Sequence, residues 1–528
     1  MSFSLNKNNR IGYWFPILLS LFIYDDNQYL NIIFGNIILA LGLILLSNLF
    51  INFKIKVIFE FIGVVFFNII MFFQMAHFHL FNDNLKPSTL FIIFDTNSNE
   101  TIDFLSMYID STIIFLIISL SLITVLSLIL YIKHPIKKPN LKFNFLFLII
   151  ILVLFSSYKT RKNIFPNIIY KAVKDYNYEK NRLKEITYDK YGGDFSEVQH
   201  KEDSSEEIYV VIIGESTTKT HMQLYDYYRK TNPLLNKIKD ELIIYNDVIS
   251  PNTHTIPSLE KSLTLGTTDS PDKKFNGTVI QLFNKAGFKT YWISNQKPMG
   301  FNESMTTIIS KNCDEQYFVN TSGYGHQSLD EKVLNPFKKV LKQEYKKKLI
   351  VIHIMGTHVI YSNRYSPSFE KFNSTPNTKF NHDEAHAVIN DYDNAVLYND
   401  FIINEIINEV RSTESKSYVV YFSDHGEDVF ETMDMAGHNE INGSKPMYEI
   451  PFIIWRSDKF KQYNRKFVFD TNRKSSTEDL LFTLSDLSNI TFKEFESCKS
   501  LVNENFIEKK RLISNQIDYD TFFNSKNE

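Results

Sequence analysis

An acid, an imidazole, a glycine and a second acid stand together in Ser423-Asp424-His425-Gly426-Glu427, directly after the apolar run Ser417-Tyr418-Val419-Val420-Tyr421-Phe422. A carboxylate oxygen and a ring nitrogen at one strand end can bind the same metal ion. The stretch alone is equally a turn after a strand, so its meaning depends on partners elsewhere. Glu215 ends a second apolar run, 208–213, in Gly214-Glu215-Ser216-Thr217. Glu215, Asp424 and His425 form a carboxylate-carboxylate-imidazole set, which suits a zinc ion that keeps a fourth position open. A hydroxyl in that position is activated, because the cation lowers its pKa and stabilises the alkoxide. Thr255 or Thr253, in Ser250-Pro251-Asn252-Thr253-His254-Thr255, can supply that hydroxyl. Lys297, His358 and His438 can bind an anionic group such as a phosphate. Metal and cations together would offset the charge on a phosphoryl group in transfer.

The elements that must position these groups are legible around them. Strand-like runs at 208–213, 242–245, 290–293, 349–354, 418–422 and 451–455 are separated by helical patterns, notably 278–286, stopped by Gly287, and 383–410. Strands separated by helices predict a largely parallel sheet with helices on both faces. The polar residues fall at the carboxyl ends of these strands, where open α/β sheets bind ligands. Glu215, Thr255, His358, Asp424 and His425 are therefore expected on one rim.

The chain's 528 residues and net charge of −3 allow two to four domains and give no electrostatic footprint for nucleic acid. Its two cysteines, Cys313 and Cys498, form no motif, and no disulfide between them is expected. Residues 1–158 are dominated by Ile, Leu and Phe, with apolar stretches at about 11–24, 29–50, 57–80, 112–132 and 143–158. Most approach the roughly 20 residues a helix needs to cross a bilayer. Basic loops (Lys54 and Lys56; Lys133, Lys137, Lys138 and Lys142) alternate with acidic ones (Asp25 and Asp26; 81–111). This alternation places the N-terminus in the cytoplasm and everything after residue 158 outside it; Lys159, Arg161 and Lys162 run against the pattern. No buried charge pair is expected in the spans, which argues against a transporter. The loop 81–111 carries Thr96 and Glu100 ahead of a capped, interfacial helical run. Residues 159–206 read as a juxtamembrane helix and flexible linker, and 207–528 as a soluble domain.

Ile213-Gly214-Glu215-Ser216-Thr217, then Leu224-Tyr225-Asp226-Tyr227 and Arg229-Lys230-Thr231-Asn232-Pro233, resembles the opening of the bacterial phosphoethanolamine transferases. Tyr291-Trp292-Ile293-Ser294-Asn295-Gln296, His353-Ile354-Met355-Gly356-Thr357-His358 and Ser423–Glu427 fit the same family. These are inner-membrane, sulfatase-like members of the alkaline phosphatase superfamily. The resemblance implies five spans, a linker and a periplasmic α/β/α sandwich. It implies a ping-pong reaction in which a threonine takes phosphoethanolamine from phosphatidylethanolamine. The group then passes to an envelope acceptor, typically lipid A or lipopolysaccharide. Glu215, Asp424 and His425 match the zinc ligands and Thr255 the nucleophile, with Thr253 a rival. The family's commoner form has a longer, cysteine-containing stretch there, and often several disulfides. His358 and His438, and more weakly His353, match histidines that hold the substrate phosphate or a second zinc. Lys297 resembles a phosphate-contacting lysine. Thr96 and Glu100 match contacts to the ethanolamine head group, for which an anionic Glu is a sensible partner. A monomer is expected. The competing readings are a phosphoglycerol transferase on the same fold, a sulfatase, and an inactive membrane sensor or scaffold.

Overall fold

The computed structural model describes residues 10–24, 30–81, 109–133, 142, 144–147, 149, 164–187, 189–201, 205–296, 305–320, 328–440, 443–462 and 467–524. Most of the expected fifth span, together with Thr96, Glu100 and Lys297, lies outside them. The chain divides into two compact units, with the boundary between Tyr178 and Glu179. It falls within a 23-residue helix, α5 below, in the stretch expected to hold a juxtamembrane helix.

The first unit holds α1 (Ile11–Ser20), α2 (Leu30–Ser47), α3 (Phe53–Phe81) and α4 (Ser111–Lys133), and α5 (Phe165–Thr187) begins in it. Among the described residues, α2, α3 and α4 are long and apolar enough to cross a membrane, while α1 has 10 residues. Their inner faces bury Tyr13, Phe67, Met71, Met75, Leu116 and Leu120. Phe66, Ile114, Phe115 and Leu122 point outward, as apolar side chains do on helices solvated by hydrocarbon. Small residues and amides join the helices: a Cβ on Gly12 would lie 2.7 Å from Ser127 Oγ, and Asn36 donates to Gln74 Oε1 at 2.8 Å. One expectation fails. Arg10 Nε lies 3.5 Å from Glu60 Oε1, and the Glu60 side chain is 3% exposed. The helices do contain a buried charge pair, because Glu60 occurs on the inner face of α3 where Arg10 and Ser47 reach it.

The second unit is built on a seven-stranded sheet: β1 (Glu207–Gly214), β2 (Leu242–Tyr245), β3 (Lys289–Ser294), β4 (Glu315–Phe318), β5 (Lys347–His353), β6 (Lys416–Ser423) and β7 (Phe452–Arg456). Their spatial order is β2-β7-β6-β1-β5-β3-β4. The central strands β1 and β6 are buried along their whole length, which is why they read as near-continuous apolar runs rather than alternating ones. Tyr209, Val211 and Ile213 share a core with α6 (Thr255–Ser262), α7 (Val279–Lys285) and α9 (Leu480–Leu487). Ile208, Val210 and Ile212 alternate to the opposite face. The 29-residue α8 (Asp383–Arg411) packs on the sheet and buries Ile389, Tyr392, Ile402 and Ile406. The result is an α/β/α sandwich. Two details depart from the sequence reading. β7 runs antiparallel to β6 and β2, and β4, short and only half-buried, has no apolar run to announce it.

Register positions the chemistry. Gly214 pairs with Ser423, Ile213 with His353, and Ser294 with His353. The parallel strands β1, β3, β5 and β6 therefore end level with one another, and the residues that follow them converge on one rim.

Candidate active site

Glu215 and Asp424 are each the first residue past a strand, and the ladder continues one step beyond them. The Asp424 amide donates to Gly214 O at 3.0 Å, and the Ser216 amide donates to Asp424 Oδ1 at 3.0 Å. His425 adds its ring at 3.4 Å, Nε2 to Glu215 Oε1, and 3.6 Å, Nε2 to Asp424 Oδ2. One ligand atom from each of the three residues lies within 4.8 Å of the others, and all three side chains are buried. Thr255 is the first residue of α6. Its hydroxyl donates to Glu215 Oε1 at 3.1 Å. Gln296 Nε2 donates to Glu215 Oε2 at 2.9 Å.

The donor set fits a divalent ion. Asp424 Oδ2 and His425 Nε2 are buried and have no hydrogen-bond partner among the described residues, an arrangement too costly to keep without a cation between them. His425 Nδ1 lies 2.9 Å from Gly426 O; donation to that carbonyl fixes the tautomer that leaves Nε2 as a ligand. The charges say the same. Burial, then the neighbouring Glu215, pushes the Asp424 carboxyl up to about 8. Against the opposing effect of burial, Asp424 and Glu215 raise His425 to about 10. Burial also opposes ionisation of Glu215, yet the neighbouring His425 holds it well below the usual carboxylate range. Two buried carboxylates demand positive charge, and the imidazolium is what the chain itself can offer.

The remaining histidines surround this triad. His438 packs its ring on His425 with centroids 4.3 Å apart, and its Nδ1 lies 3.0 Å from Glu427 Oε1. Burial, then the like charges of His425 and His254, drives His438 well below the ordinary imidazole range. Burial lowers His358 and His353 to about 4. All three are therefore neutral near pH 7 and offer N–H donors rather than standing cations. His353 sits in the sheet against Trp292, with Nε2 unpartnered among the described residues.

Thr253 lies apart from the triad. Its hydroxyl donates to Glu440 Oε2 at 3.1 Å and its amide to the same atom at 3.0 Å. His254 Nδ1 approaches that oxygen at 3.2 Å.

Several residues at the rim escaped the sequence reading. Glu427 belongs to the pentapeptide that drew attention first, yet its side chain, which accepts from Tyr361 and meets His438, was read only as part of the motif. Gln296 was likewise read only as the end of the run Tyr291–Gln296, and Glu440 and Tyr392 carry no local signal of a role. The Tyr392 hydroxyl accepts from the Thr218 amide at 2.9 Å and donates to Ser216 O at 2.8 Å. It straps the turn after β1, where Ser216 has φ +58°. Gly356, at φ +55°, closes the other side: a Cβ there would meet Glu215 O at 2.7 Å, and the Thr357 amide donates to that carbonyl at 3.0 Å. The two cysteines are free thiols, Cys313 being buried.

Comparison with known proteins gives this geometry a family. Residues 207–490 match the Sulfatase family. The chain is 32% identical over 506 residues to the phosphoethanolamine transferase EptC of Escherichia coli O18:K1:H7, covering 89% of this chain and 87% of that protein. The chain belongs to the sulfatase-like phosphoethanolamine transferases. The phosphoethanolamine transferase CptA of Salmonella typhimurium is 29% identical, with the same coverage of both chains. Among solved structures, the C-terminal periplasmic domain of Escherichia coli EptC in complex with zinc matches at TM-score 0.60 and 34% identity, over 62% of this chain and 97% of that one. The integral membrane lipooligosaccharide phosphoethanolamine transferase EptA of Neisseria meningitidis shares the fold across the length of both chains: TM-score 0.64, 93% of this chain and 95% of that one, at 19% identity. As a phosphoethanolamine transferase, this chain pairs an apolar helical unit with a sulfatase-like domain, and its buried triad suits zinc.

Proposed function

We propose that this enzyme transfers phosphoethanolamine from phosphatidylethanolamine to a lipid A or lipopolysaccharide acceptor, through a phosphothreonine ester on Thr255. The observation that carries this reading is the Thr255 hydroxyl on Glu215, beside the unpartnered Asp424 Oδ2 and His425 Nε2. Glu215, Asp424, His425 and Thr255 would hold one zinc ion. Bound there, zinc lowers the pKa of the threonine hydroxyl and offsets charge on the phosphoryl group. Thr255 Oγ attacks phosphorus from the N-terminus of α6, whose free amides favour the incoming phosphate. The new Oγ–P bond forms as the bond to the glycerol oxygen breaks, and that oxygen leaves as the hydroxyl of diacylglycerol with the proton the threonine gave up. His358 and His438 orient the phosphoryl oxygens through N–H donation. The acceptor hydroxyl then repeats the displacement at the threonine ester. Membrane helices formed within residues 1–158, with a cytoplasmic N-terminus, would keep the catalytic domain, 207–528, in the periplasm of the inner membrane as a monomer. Lys297, Thr96 and Glu100 remain proposed substrate contacts. The names of the EptC and CptA relatives support the group transferred, and the zinc-bound EptC domain supports the metal.

The test supplies purified full-length protein with phosphatidylethanolamine and follows diacylglycerol release together with the intact mass of the protein. Release with a phosphoethanolamine increment on the peptide containing Thr255 is expected. Preferential turnover of phosphatidylglycerol would replace this reading with phosphoglycerol transfer.

A further inference from the structure

Four helix ends meet in the first unit: the starts of α1 and α3 and the ends of α2 and α4. Arg10, just ahead of α1, donates to Asn48 Oδ1, just past α2, at 2.9 Å. Glu60 accepts from Ser47 of α2 and pairs with Arg10. Lys56 stands one turn before Glu60 on the same face of α3. Tyr131, near the end of α4, lines a pocket with Glu60, Val64, Thr124 and Ser127. Gly63 leaves space for Tyr13, since a Cβ on that glycine would lie 2.5 Å from the Tyr13 hydroxyl.

This cluster is not closed upon itself. Lys56 Nζ, Tyr13 Oη and Tyr131 Oη are buried without a hydrogen-bond partner among the described residues, although their residues are 5%, 0% and 1% exposed. Arg10 and Lys56 bring two cations and Glu60 one carboxylate, so among the described residues one positive charge is left without an anion. A buried ammonium in that position is costly. Water would satisfy its hydrogens but leave its charge; an anion satisfies both.

The surroundings select the anion. Ile51, Phe53, Ile55, Ile58 and Phe59 around Lys56 are exposed, and Phe50 stacks on Phe59. A polar, cationic centre inside an apolar collar at helix ends fits a molecule that carries phosphate and acyl chains together. We infer that the meeting point of these four helix ends binds the phosphate of a phospholipid head group. Lys56 is the ionic contact. Arg10 neutralises Glu60 and Ser47 donates a hydrogen bond to it, so the carboxylate does not repel the ligand. No residue of the zinc triad takes part, and the helix ends are those that the loop charges assign to the cytoplasmic side. The site is a lipid anchor for the helical unit.

The test uses full-length protein in detergent. Native mass spectrometry is expected to find about one retained phospholipid per chain. After delipidation, dioleoylphosphatidylglycerol should rebind, with Lys56→Gln weakening it about tenfold, as loss of a charge-assisted bond predicts, and Lys56→Arg restoring it. Inorganic phosphate should not displace the lipid. Wild-type protein that neither retains nor rebinds phospholipid overturns the inference whatever the variants do. Equal rebinding by folded Lys56→Gln, or displacement by inorganic phosphate, overturns it as well.

Discussion

The hydroxyl of Thr255 donates to Glu215 Oε1 at 3.1 Å. Two residues earlier the same kind of hydroxyl, on Thr253, donates to Glu440 instead. One threonine faces the metal ligands and the other a carboxylate outside the triad. Thr255→Ala is therefore expected to abolish diacylglycerol release while leaving the fold intact. Thr253→Ala should retain most activity and lose about 1 kcal/mol of stability with its hydrogen bond. Turnover assays on both variants separate the two roles, and the reverse pattern would move the nucleophile to Thr253.

The triad predicts a metal requirement. Metal analysis of protein prepared in chelator-washed buffers should give about one zinc per chain, because three buried ligands of this type hold zinc tightly. Asp424→Asn and His425→Ala should each lose the metal and the activity together. Burial and Glu215 already keep the Asp424 carboxyl largely protonated in the metal-free protein, so Asp424→Asn should not lower the unfolding midpoint of that form near pH 7. A marked drop there would mean that Asp424 is chiefly structural.

Tyr392 is expected to act through Glu215. Its hydroxyl ties Ser216 O to the Thr218 amide, across a turn whose Ser216 lies at φ +58°. Tyr392→Phe leaves that buried amide unpaired, which costs about 1–3 kcal/mol, and lets the turn relax. Zinc affinity and kcat should both fall while KM for the donor stays constant. A change confined to stability, with zinc affinity and kcat unaltered, would refute the positioning role.

What the sequence discloses follows from how each residue is held. The triad is legible because its members sit one residue past apolar strands, so strand recognition alone aligns them on a rim. The convergence is then a matter of parallel register, as Gly214 against Ser423 illustrates. By residue type alone Thr253 and Thr255 are equivalent, and only the family resemblance favoured Thr255; in the structure the start of α6 at Thr255 and the placement of Glu440 separate them. Tyr392 and Glu440 act through tertiary hydrogen bonds from residues distant in the chain, and such partners leave no periodic trace. The strand β7 was read at 451–455, but not its antiparallel direction, because an apolar run carries no direction. The Arg10–Glu60 pair was missed because a lone acid inside the apolar stretch 57–80 and a lone base ahead of the first stretch show no link in sequence, although packing of α1, α2 and α3 brings them together.

A pH dependence of stability is predicted at Asp400, remote from the zinc triad in sequence. Burial raises its carboxyl to about 7, although it accepts the Leu234 and Leu235 amides at 2.8 and 2.9 Å. A carboxyl whose folded pKa exceeds its unfolded value binds its proton more tightly in the native state. Its contribution is fully present below pH about 4 and is lost as pH rises through about 7. Asp400→Asn carries no charge but keeps one oxygen for two amides, so it loses one of those bonds at every pH. Its stability relative to the wild type should nevertheless rise as pH rises through about 7, where the wild type must bury an anion. Trp292 in β3 and Trp455 in β7 report on this unit, so unfolding followed by tryptophan fluorescence at pH 5 and pH 8 can measure the difference. The midpoint of the variant minus that of the wild type is expected to be higher at pH 8 than at pH 5 by at least about 2 °C; a constant or falling difference would show that Asp400 ionises without cost in the folded protein.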